Sequence, residues 1–133
     1  MLALDNSTKR VFVVGILKNA GAEITAVKDG KLALDAAFAA RENGNPFDII
    51  LMDIQMPLMG GDDATKILRE KGYTGKIIAL AADTQDRDQQ RYISMGFDAS
   101  TWNPIKRAKL IETIRRQWFG AEAAVPTPTL PAV

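Results

Sequence analysis

A chain of 133 residues, 47% hydrophobic and 25% charged, has the length and composition of one globular domain with a real core. A net charge of +1 gives no electrostatic case for nucleic acid, and the absence of Cys excludes disulfides, thiol nucleophiles and thiolate metal sites, which suits the cytoplasm. With no His either, the usual general base and any Ser-His-Asp triad are gone, so any chemistry rests on carboxylates, hydroxyls or lysines. No run is long and apolar enough for a signal peptide or a membrane span, and a soluble protein is expected.

In chain order, residues 1–8 form a polar lead, and Arg10 to Val14 (RVFVV), short and β-branched, predicts the first buried strand. Ile24 to Val27 predicts the second. Asp29-Gly30 signals a turn before a helix over Lys31 to Asn43, ended by Gly44. Phe47 to Met52 predicts the third strand. A helix follows from Gly61 to Lys71, with Asp62 and Asp63 suiting the positive end of its dipole and Gly72 closing it. Lys76 to Ala81 predicts the fourth strand, and Asp86 to Met95 a polar helix that Thr84 caps and Gly96 ends. Ala99 to Trp102 predicts a short fifth strand, and Pro104 opens a last helix with Leu110, Ile111, Ile114 and Trp118 on one face. Residues 120–133 have the Ala/Pro/Thr composition of a linker or tail.

Strands alternating with helices imply a doubly wound, five-stranded parallel sheet of α/β class, with helices on both faces. Five of the six residues from Ile49 to Ile54 are aliphatic or Met, the pattern of a strand buried on both faces. Ligands of such sheets bind beyond the carboxyl ends of the strands. Asp53, the one exception, is aimed there, which marks it as a reagent or an ion ligand; the plainer alternative is a turn-forming Asp. Met52, Met56, Met59 and Met95 read as core and loop filler.

The blocks NAGAEITAVKDGKLALDAA, DIILMDIQMPLMGGDDATKILRE, KIIALAA and SMGFDA, with VFVV before them and NPI after, resemble the receiver domain of two-component response regulators. The likeness runs from about Lys9 to Phe119 and implies a flavodoxin-like fold over 9–119. It also implies that Asp53 accepts a phosphoryl group from a phosphohistidine on a histidine kinase or phosphotransfer protein. Mg²⁺ would be held by Asp53 and the backbone carbonyl of Gln55. Met56 and Pro57 would shape the turn, Gly61 would permit the backbone angles entering the next helix, and the peptide before Pro104 would be cis.

Four departures from the family bear on activity. The family follows its first strand with a pair of metal-holding acids and a full helix, whereas here only nine residues, Gly15 to Glu23, link the first two predicted strands. About a dozen residues are expected for such a crossover. The first helix is then shortened, deleted between Gly15 and Ile16, or absent from this chain. Ala81 stands where the family carries Thr or Ser, Asn103 stands for its lysine, and Ser100 for the aromatic that reports phosphorylation; Trp102, two residues on, reads as a packing residue.

The expectation is a receiver with impaired or atypical switching. Its alternative is a degenerate receiver serving as a phosphorylation-independent binding or dimerisation module. An enzyme acting on a diffusible substrate is argued against by a lone acid without His, Cys or an acid pair. Basic residues on the last helix read as a solvated face. A nine-residue crossover would also favour exchange of the first strand between protomers of a homodimer.

Overall fold

The computed structural model describes residues 1–81, 86–102 and 106–119, without the side chains of 86–89, 102 and 119. Thr84, Asn103, Pro104 with its peptide bond, and the tail 120–133 therefore lie outside the described residues.

One parallel sheet has the order β2-β1-β3-β4-β5, built from β1 (Leu2–Ala3), β2 (Ala26–Val27), β3 (Ile49–Asp53), β4 (Lys76–Ala81) and β5 (Ala99–Trp102). The helices are α1 (Ser7–Asn19), α2 (Gly30–Glu42), α3 (Gly61–Glu70), α4 (Asp86–Met95) and α5 (Arg107–Phe119). Successive strand residues point to opposite faces, so the strands feed two cores. Met1, Ala3, Ile50, Met52, Ile77 and Ala79 pack with residues of α2 and α3 and with Tyr92 and Phe97. Leu2, Leu4, Ile49, Leu51, Ile78 and Leu80 pack under α1 and α5. Met56, Met59 and Met95 pack against the first core, as filler should. Among the described residues, no helix is long and apolar enough to cross a membrane.

The fold class and the later elements match the sequence reading, but the beginning of the chain does not. Arg10 to Val14 is not a strand; it lies inside the 13-residue helix α1. The strand is Leu2–Ala3, within the apolar run MLAL of the segment read as a polar lead. Leu2 and Ala3 pair with Ala26 and Val27 on one side and with Leu51 and Met52 on the other. Met1 to Leu4 are buried, so residues 1–8 belong to the folded unit.

The physical reason is that five apolar residues fit either period, and the choice rests on what extends them. Asn6 accepts a hydrogen bond from the Lys9 N–H at 2.9 Å and starts a helix. Val13, Ile16 and Leu17, at helical spacing, then face the core, while Val11 (72% exposed) and Phe12 (53%) point outward. A helix of normal length thus links β1 to β2. Nothing is deleted between Gly15 and Ile16, and the argument for strand exchange loses its premise.

Candidate functional site

The sheet order reverses between β1, which continues through α1 to β2, and β3, which continues through α3 to β4. A doubly wound sheet has its ligand crevice at this switch point, outside the carboxyl ends of the strands. Two carboxylates end up there. Asp53 closes β3, and Asp5 follows β1, the neighbouring strand, one residue after the buried Leu4. Asp5 was missed because its strand was misplaced; an apolar run MLAL ending in Asp-Asn was the available signal.

Asp53 is half-buried, and its Oδ1 accepts the Gln55 N–H at 3.2 Å. Its pKa is raised, first by loss of solvation, with the negative charge of Asp5 adding to the shift; the Gln55 N–H and the Lys9 ammonium pull the other way. The Asp5 backbone is fixed by Arg10, whose Nη1 donates to the carbonyls of Leu4 at 2.9 Å and Asp5 at 3.0 Å. Asn6 uses its side chain to cap α1, so Asp5 is the carboxylate that this strand end supplies.

The loop after Asp53 is fastened at both ends. The Ile54 N–H donates to the Leu80 carbonyl at 3.1 Å, the Gly61 N–H to the Ile54 carbonyl at 2.9 Å, and the Gly30 N–H to the Met59 carbonyl at 3.2 Å. Between them Met59 N–H closes a tight turn on the Pro57 carbonyl at 2.7 Å. The strained position of this loop is Leu58, with φ at 67°. Gly61 has no left-handed backbone, so the expectation that it supplies unusual angles is corrected. A Cβ at Gly61 would overlap the Asp53 carbonyl oxygen, and the requirement for glycine is close approach.

The remaining sequence-predicted positions are partly described. Ala81 ends β4 and is buried, with no hydroxyl to offer. Ser100 is buried on β5, its Oγ has no protein partner, and it lines a cleft of about 220 Å³ with residues of α4 and α5, including Ile93 and Thr113.

Asp5 and Asp53 bring two carboxylates to neighbouring strand ends. Among the described residues no cluster of three or more acidic, His or Cys side chains exists to cage a metal. Two carboxylates fit Mg²⁺, which takes few protein ligands and keeps waters, and a cation would relieve the repulsion between the two acids.

Residues 1–115 match the response regulator receiver domain. The chain belongs to that family. The receiver is 33% identical over 112 residues to a rice two-component response regulator, ORR41 of Oryza sativa subsp. japonica, covering 83% of this chain and 86% of that one. It is 35% identical over 121 residues to hybrid signal transduction histidine kinase I of Dictyostelium discoideum, where it covers 88% of this chain but 7% of the kinase. Thus it corresponds to nearly all of one relative and to a small segment of the other. Among solved structures it superposes on the receiver domain of sensor histidine kinase PA1611 from Pseudomonas aeruginosa, with a TM-score of 0.76 and 32% identity, covering 90% of this chain and 95% of that one. That domain was solved with a magnesium ion coordinated in its active-site cleft. Receiver domains act in two-component phosphorelays, interact with histidine kinases or phosphotransfer proteins, and typically bind Mg²⁺.

Proposed function

We propose that Asp53 is the phosphoacceptor of this receiver and that Asp5, Asp53 and the Gln55 carbonyl hold Mg²⁺ beside it. One observation carries the reading: Asp5 and Asp53 stand at the carboxyl ends of the paired strands β1 and β3, on the two sides of the switch point. A carboxylate oxygen of Asp53 forms a bond to phosphorus as the bond from phosphorus to the donor imidazole nitrogen breaks. The bonding pair stays on the imidazole, and the product is an acyl phosphate. Mg²⁺ held by these residues would supply charge neutralisation to the phosphoryl oxygens. Asp53 contributes the carboxylate, and the Gln55 N–H orients it through Oδ1. The donor is a protein carrying phosphohistidine on a kinase or phosphotransfer domain.

The switching that follows is atypical. Ala81 offers no hydroxyl to a phosphoryl group, and Ser100 no ring to swing inward, so the usual hydroxyl-to-aromatic coupling has neither end. The same observation favours the second reading, a binding or dimerisation module in which Asp53 stays unmodified.

Incubation with phosphoramidate and Mg²⁺, followed by intact mass, separates the two. A gain of one phosphoryl group, lost in Asp53→Asn and strongly reduced in Asp5→Asn, is expected. No gain at any Mg²⁺ concentration would leave the binding-module reading standing.

A further inference from the structure

The receiver lacks an ammonium at the position before Pro104, where the family places its phosphate-side lysine and this chain has Asn103. Once phosphorylated, Asp53 would carry a phosphoryl charge of about −2, Asp5 adds one more negative charge, and Mg²⁺ offsets two, which leaves about one negative charge unmatched. A cation at the site would match it.

Lys9 is placed to be that cation. It sits in the first turn of α1, which opens directly from the Asp5-Asn6 strand end, and its own N–H is tied to Asn6 Oδ1 at 2.9 Å. Arg10, the next residue, anchors the same turn to the Leu4 and Asp5 carbonyls, so the base of the Lys9 side chain is held rigidly at the rim of the crevice. Its ammonium is exposed, lies within Coulomb range of the Asp53 carboxylate, and makes none of the ion pairs seen among the described residues.

A second observation is energetic. The N-terminal turn of a helix carries the positive end of the dipole and favours acids, yet the first turn of α1 has none and carries Lys9 instead. Helix stability alone argues against a lysine there. A phosphoryl group at the mouth of the crevice supplies the reason for it.

We propose that the Lys9 ammonium does the work of the family's phosphate-side lysine, contacting phosphoryl oxygens on Asp53 from the first turn of α1. This rests on Asp53 being the acceptor. The role is electrostatic positioning: Lys9 forms and breaks no covalent bond, and it screens the incoming phosphoryl charge as it approaches two acids.

The test compares wild type, Lys9→Gln, Lys9→Arg and Lys9→Gln combined with Asn103→Lys in phosphorylation by phosphoramidate at saturating Mg²⁺, with Mg²⁺ affinity and thermal midpoint measured separately. Lys9→Gln should slow phosphoryl gain about tenfold or more, the effect of losing one charge-assisted contact. Its Mg²⁺ affinity should be unchanged or tighter, because a repelling charge is removed, and its thermal midpoint should not fall. Lys9→Arg should keep most of the rate, and Asn103→Lys should restore it. A Lys9→Gln variant phosphorylated at the wild-type rate would overturn the role of Lys9 alone, as would a slow variant whose Mg²⁺ affinity and thermal midpoint fall together. A wild type that never gains the group would instead remove the acceptor reading beneath it.

Discussion

The carbonyl oxygen of Asp53 lies against the α-carbon of Gly61, so close that any side chain at Gly61 would run into it. The first residue of α3 is thereby packed on the last residue of β3, and the loop between them is drawn into a closed clamp by the Gly61 to Ile54 hydrogen bond of 2.9 Å. Gly61→Ala forces a methyl group against the Asp53 backbone, which has no flexible end to yield. A loss of about 2–3 kcal/mol in urea unfolding is expected, the upper part of the range for overpacking. Phosphorylation should slow as well, since the atom displaced belongs to Asp53.

Burial and Asp5 hold the Asp53 pKa above its ordinary value, and the sign of the consequence can be worked out. The folded state binds a proton there more tightly than the unfolded chain, so stability falls as pH rises from the ordinary carboxylate pKa through the raised one, and the whole cost is present above it. Without Mg²⁺, Asp53→Asn should therefore be more stable than wild type at neutral pH. The difference should vanish near about pH 3, where both states carry a protonated acid. Mg²⁺ should reverse the order at neutral pH, because it binds the folded wild type and not the variant. Thermal melts at the two pH values, with and without Mg²⁺, check all three.

Arg69 ties α3 to both neighbouring turns. Its Nε donates to the Gly96 carbonyl at 2.8 Å, Nη1 to those of Tyr73 at 2.7 Å and Gly75 at 2.9 Å, and Nη2 to Asp98 Oδ2 at 2.9 Å. Asp98 Oδ2 in turn accepts the Ile77 N–H at 2.8 Å at the start of β4. A planar fork serves four acceptors where an ammonium has a single nitrogen. Arg69→Ala should cost about 2–3 kcal/mol in urea unfolding, the worth of charge-assisted bonds to partly buried carbonyls. Arg69→Lys should recover less than half of that.

The placement of α1 is tested by a pair of truncations. Leu17 is fully buried under the sheet and Val11 stands in solvent. Leu17→Ala should cost about 2–5 kcal/mol and Val11→Ala less than about 0.5. Comparable losses at both positions would mean that Arg10 to Val14 is buried on two sides, as the strand reading required.

Much of the receiver was legible in its residues. The run from Ile49 to Met52 is apolar on both faces, as a buried parallel strand requires, and Asp53 follows at the strand end that faces the crevice. Lys76 to Ala81 follows the same logic. Gly44, Gly72 and Gly96 close α2, α3 and α4 with positive φ, as their positions after helical patterns imply. These are local properties: burial on two faces, a period, a left-handed stop.

What the residues alone left open was which apolar segment enters the sheet first. MLAL and RVFVV each satisfy a strand, and local propensity favours the β-branched one. The decision belongs to the tertiary structure, because a strand between two neighbours needs both backbone edges paired, and Leu2 and Ala3 find them between β2 and β3. Val13, Ile16 and Leu17 can cover the Leu2 and Leu4 face only from a helix. That choice brings Asp5 beside Asp53 and sets Lys9 at the rim of the crevice. Sequence sufficed for the acceptor strand, whose signal lies within its own residues. The company around Asp53 comes from a second strand 48 residues away, and only packing could say which one.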